Sequence, residues 1–100
     1  MEIGDGTRLR LTAYNAAGAE VECQVRMVTL DDGRLGCLAT PDMARLVHAN
    51  ARVRVEDGRT GTAEVLRSGR AFAEVHGRLR RSRLLPSRTP PGPVLLIRIE

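Results

Sequence analysis

The sequence predicts a small, mainly β fold, with six or seven short strands and one short α-helix at about residues 41–49. Three observations carry that expectation. Apolar and polar residues alternate with period two along most of the chain, as on strands with one dry and one wet face. Gly, Asn and Asp punctuate the alternation at intervals of roughly ten residues, the spacing of sandwich and barrel strands. One stretch, near residues 40–50, switches to the helical period. The chain of 100 residues reads as a single domain, because a division would leave neither half a core.

Leu9, Leu11 and Ala13 alternate with Arg8, Arg10 and Thr12, which predicts a first strand over about Thr7–Tyr14. Asn15-Ala16-Ala17-Gly18 is a turn, since Asn and Gly tolerate positive φ. Val21, Cys23, Val25 and Met27 then alternate with Glu20, Glu22, Gln24 and Arg26, the clearest strand of all. Asp31-Asp32-Gly33 is a hairpin signal, read as a primed turn, and a third strand follows over about Arg34–Ala39. Thr40-Pro41-Asp42 reads as an N-cap, a first-position proline and a first-turn acid. With the stripe Met43, Leu46 and Val47, it predicts a helix over Pro41–Ala49 that covers one barrel end and stops at Asn50. Strands return at Arg52–Val55 and Thr60–Leu66, joined through Glu56-Asp57-Gly58. A long sixth strand is expected over residues 71–80, where Ala71, Ala73, Val75, Gly77 and Leu79 alternate with bulkier or polar residues. Residues 82–93 hold four prolines and a glycine, an irregular connection, and Val94–Glu100 is a last apolar strand.

Composition excludes several chemistries. All 16 basic residues are Arg; there is no Lys and no Trp, with one Tyr and one Phe. P-loop and Schiff-base lysines are therefore absent, as is a row of aromatics on which bases or rings would stack. Abundant Arg, Ala, Gly and Val match a GC-rich codon bias, so an arginine carries weight only through its position. Cys23 and Cys37 read as buried free thiols, and His48 and His76 lack the companions of a metal site. The first residues lack the blocks of a signal peptide and no run is long enough to span a membrane, so a cytoplasmic location is expected. No nucleophile, acid–base pair or metal constellation is visible, and no catalytic residue is assigned.

The net charge of +4 is unevenly placed. Residues 1–66 carry eight Arg against ten acids, whereas residues 67–100 carry eight Arg against two. Arg78, Arg80, Arg81, Arg83 and Arg88 form the densest cluster. Guanidinium groups favour phosphate oxygens, so the cluster is a candidate for an anionic cofactor or nucleic acid. A solvated edge strand kept soluble by charge explains it as well, and the missing aromatics argue against nucleic acid.

Over residues 11–55 the order of elements resembles the split β-barrel flavoproteins, which include pyridoxamine-phosphate-oxidase-like proteins and the deazaflavin-dependent reductases common in actinobacteria. The resemblance rests on the Asp-Gly hairpin, the strand ending at Thr40, the short helix with Arg45, and Asn50-Ala51-Arg52-Val53. Gly61-Thr62-Ala63-Glu64-Val65 and Val94–Glu100 are similar to later strands of that barrel. The likeness covers most of the chain in order and length, through loose patterns and no single diagnostic motif, and it implies a Greek-key-like split barrel that forms a homodimer and holds FMN or a deazaflavin at the dimer groove. It also implies cofactor phosphate near Thr40 and Arg45, with the ring edge along Val25, Arg26 and Met27. Two departures stand out. Met43 and Pro41 fall where the family has a phosphate-binding Lys and a Ser.

The residues themselves say less. A Thr-capped helix start is a ready phosphate site, and Arg45 lies one turn in. In such chemistry the cofactor reacts while the protein supplies position and field. The leading expectation is a flavin- or deazaflavin-binding oxidoreductase-like protein of reduced form. The rivals are a barrel that has lost its cofactor and serves in assembly, and a non-catalytic barrel whose Arg-rich C-terminal third binds nucleic acid or a protein partner.

Overall fold

Six antiparallel strands and two helices make up the computed structural model, which describes residues 6–81 and 92–100. In chain order they are β1 (Thr7–Tyr14), β2 (Glu20–Thr29), β3 (Leu35–Leu38), α1 (Pro41–Ala49), β4 (Arg52–Val55), β5 (Thr60–Leu66), α2 (Arg70–Arg81) and β6 (Val94–Ile99). The strands close into a barrel in the order β1-β2-β3-β6-β5-β4, with β4 pairing back onto β1. Because β6 enters between β3 and β5, the chain follows a crossed rather than an up-and-down path.

The alternation read from the sequence sets the barrel's inside. Leu11, Met27, Cys37, Val53, Ala63, Leu95 and Ile97 come from all six strands into one interior cluster, which Met43 and Val47 of α1 seal at one end. The α1 boundaries match its sequence signals. Thr40 Oγ1 accepts from the Met43 amide at 3.2 Å, Pro41 opens the helix, and the Asn50 amide donates to Leu46 at 2.8 Å. The two Asp-Gly-Arg hairpins are built alike. In each, Gly donates to the residue three back (Gly33 to Leu30, Gly58 to Val55), and the preceding Asp holds the following Arg by backbone and side chain. Gly33 at φ 88° is the left-handed residue closing a three-residue loop, so the expected two-residue primed turn is corrected to this longer form.

The larger correction concerns residues 71–80, expected as a strand. They form α2, so the described residues hold two helices, not one, and Val94–Ile99 is their sixth strand. The inward set of the expected strand included Ala71, Ala73 and Gly77, which bury little area. The helical stripe Phe72, Val75, His76 and Leu79 buries far more, and the segment contains a single β-branched residue. α2 packs on the outer face of the barrel, over Val28, Leu30, Val94 and Leu96. Gly36 makes the approach: a Cβ built there would lie 2.4 Å from Val75 Cγ2, so only a glycine lets the helix sit so low. His76 donates from Nε2 to the Gly92 carbonyl at 2.8 Å and its ring meets Phe72 at 4.6 Å. The expected connection, with Arg83 and Arg88, lies almost wholly outside the described residues. Among the described residues no helix is long and apolar enough to cross a membrane, and no His/Cys/Asp/Glu group is arranged to hold a metal ion.

Candidate functional site

β2 is longer than its partner. It pairs with β1 from Glu20 to Met27, but β3 meets it, among the described residues, only at Val28 and Thr29. Along the rest of that edge the barrel wall is split, and alternate residues of such an edge direct N–H and C=O groups outward. The start of α1 and the last turn of α2 approach this gap. Between them lies a recess of about 210 Å³ lined by Gln24, Val25, Arg26, Leu38, Thr40, Met43 and Leu79.

Three of the five sequence-predicted site residues meet here. Val25 is buried against the barrel, Arg26 stands on the exposed face of β2, and Thr40 lies at the mouth. Arg26 donates from Nη1 to the Gly6 carbonyl at 3.3 Å and lines the recess. Met27 has its side chain fully inside the barrel and forms no part of the recess wall. Arg45 lies on another face of α1, paired with Asp42, and lines a separate recess. Thr40 and Arg45 therefore do not converge. Helical periodicity explains this, since five positions along a helix are far from one face.

The donors at the α1 N-terminus can be counted. Pro41 has no N–H, Met43 donates to Thr40 Oγ1, and Ala44 donates to the Thr40 carbonyl at 3.0 Å. Among the described residues the Asp42 amide and the Thr40 hydroxyl proton are left as donors, with Arg26 beside them. The Asp42 carboxylate works against an anion at this end. Its field is felt at the Cys23 thiol, which burial and then Asp42 push above its ordinary value. Leu38, Met43 and Leu79 give the recess an apolar floor. Leu79 was missed because its helix was read as a strand; the stripe at 72, 75, 76 and 79 is the signal that finds it.

The basic C-terminal third is partly neutralised. Arg78 bridges Glu74, four residues earlier, and Asp31 of the β2–β3 turn at 2.8 Å. It thus ties α2 to the barrel instead of displaying charge.

No family model matches the chain, and no curated protein matches its sequence. Solved structures do. HupZ of Group A Streptococcus is similar at 17% identity and a TM-score of 0.71, over 93% of this chain and 80% of that one. A histidine-to-alanine variant of HupZ gives 16% identity and a TM-score of 0.72, over 98% and 89%. At such identities the likeness is one of fold alone, that of the closed six-stranded antiparallel barrel described above.

Proposed function

We propose that this barrel binds an anionic flavin-type cofactor, FMN or a deazaflavin, at the split beside β2. The observation that carries the reading is the convergence of Val25, Arg26 and Thr40 on one recess with an apolar floor. Its parts suit such a group. Arg26, the Thr40 hydroxyl and the Asp42 amide are donors for a phosphate. The open edge of β2 offers backbone groups to a polar ring edge, and Leu38 and Leu79 offer apolar contact. At about 210 Å³ the recess is smaller than the ~300–1,000 Å³ of whole small-molecule sites. It accommodates part of a cofactor, and a second copy of the chain facing the split supplies the other wall. The site is therefore proposed to be completed by homodimerisation. A bound flavin or deazaflavin would supply hydride transfer, while the chain's residues orient it and set its field. Met27 and Arg45 are not part of this proposed site.

Thermal shift with paired ligands tests the reading. FMN raises the melting temperature, riboflavin raises it less, and Arg26→Ala removes the difference. Native mass measured beside it reports a dimer. Equal shifts with FMN and riboflavin, or an Arg26→Ala protein that still distinguishes them, would sink the phosphate assignment. Binding to nucleic acid instead predicts an affinity that falls steeply with salt.

A further inference from the structure

We propose that the recess on the other side of α1 is a second anion site, which takes a phosphate monoester. It is lined, among the described residues, by Pro41, Ala44, Arg45, His48, Arg67 and Pro93, and has a volume of about 360 Å³. That is within the ~300–1,000 Å³ range of small-molecule sites and exceeds the recess beside β2. The proposal goes beyond the cofactor reading and stands without it.

The α1 wall follows from periodicity. Pro41, Ala44, Arg45 and His48 occupy positions i, i+3, i+4 and i+7, a single stripe along α1. Ala44 is buried and makes a small apolar floor, with Arg45 and His48 exposed at its rim. Across from them, Arg67 lies two residues beyond Val65. Arg67 directly follows β5, whose Val65 packs against the interior cluster that α1 caps. Gly69, at φ 100°, then turns the chain away into α2. Pro93 closes a third side, and its carbonyl accepts from the Ala39 amide at 2.9 Å, which holds this wall to the chain entering α1.

The charge points to the ligand. Arg67 has no carboxylate partner among the described residues, whereas Arg34 and Arg59 on the hairpins and Arg45 on α1 are each paired with an aspartate. Arg45 gives one N–H to Asp42, and its guanidinium carries four more with which to meet an anion in the recess that it lines. Two guanidinium groups from different elements, with an imidazole beside them, suit a compact dianion bound by charge-assisted hydrogen bonds. A phosphate monoester carries about −1.5 to −2 near neutral pH. Its organic part rests on Pro41, Ala44 and Pro93.

Calorimetric titration of the full chain at constant ionic strength tests this, with inorganic phosphate, phenyl phosphate and diethyl phosphate as probes. Phenyl phosphate is expected to bind more tightly than inorganic phosphate, and diethyl phosphate far more weakly than either. Arg67→Ala and Arg45→Ala are each expected to weaken phenyl phosphate about tenfold, with unchanged circular dichroism. Arg8→Ala, an exposed arginine on β1, leaves it unchanged. No binding of either monoanionic or dianionic probe at millimolar concentration, or equal weakening by Arg8→Ala, overturns the proposal. FMN and riboflavin separate the two sources of the phosphate. If Arg67→Ala erases a preference for FMN, the occupant is the cofactor's own phosphate, which supports this site and defeats the Arg26 assignment. If Arg26→Ala alone erases it, the monoester is a separate ligand.

Discussion

The barrel interior and the patch beneath α2 are both apolar, yet they are held in different ways. Interior residues come from all six strands, and each strand is hydrogen-bonded on both sides for at least part of its length. The outer patch is one helix laid on a finished surface, seated at Gly36 and tied by the His76–Gly92 hydrogen bond and the Arg78–Asp31 bridge. A residue lost from the interior therefore costs the whole fold. One lost from the patch costs the position of α2, and with it the Leu79 wall of the recess beside β2. Function placed at the split depends on the less redundant of the two regions.

The largest expected contrast is chemical. Burial holds the Cys37 thiol from its ordinary 9.0 up to about 12, with Cys23 adding to the effect. At pH 8 its thiolate is scarcer by about a thousandfold than that of a free thiol. A thiol reagent should label Cys23, at the half-buried rim, long before Cys37; equal rates would mean that the interior opens readily. The same shift makes stability pH-dependent. A thiol kept protonated by folding contributes fully below pH 9 and loses that contribution as pH rises towards about 12.

Ile97→Ala should come next, at about 2–5 kcal/mol of global stability by urea unfolding. A loss below about 1 kcal/mol would mean that the interior collapses around the deletion. Gly36→Ala pushes against Val75 and should cost about 1–3 kcal/mol. Amide exchange is expected to quicken in α2 but not in β1 or β5, and adding Val75→Ala should restore protection. Uniform quickening would erase the distinction between the two regions. The smallest effect is Arg78→Met. Its side chain is 19% exposed but its Asp31 partner is 92% exposed, so about 0–1 kcal/mol is expected from a double-mutant cycle with Asp31→Asn.

The barrel was legible to its boundaries in several places. Thr7–Tyr14, Arg52–Val55, Thr60–Leu66 and the helix Pro41–Ala49 stand as the alternation and caps indicated. These segments carry apolar side chains large enough to make one period clearly better than the other. Residues 71–80 do not, because Ala71, Ala73 and Gly77 satisfy a strand pattern without filling a core. The candidate site was legible in part. Val25, Arg26 and Thr40 meet, whereas Met27 points inward and Arg45 lies across α1.

By itself, the sequence determined which residues face inward on β1 and β2 and where α1 begins and ends, since those are set by neighbours within a turn or a pleat. Tertiary structure decided that α2 is a helix, through the seat at Gly36 and the apolar outer face offered by Val28, Leu30, Val94 and Leu96. It also decided which arginines meet which recess. That depends on how α1 is rotated against the barrel, and the packing of Met43 and Val47 into the interior sets the rotation.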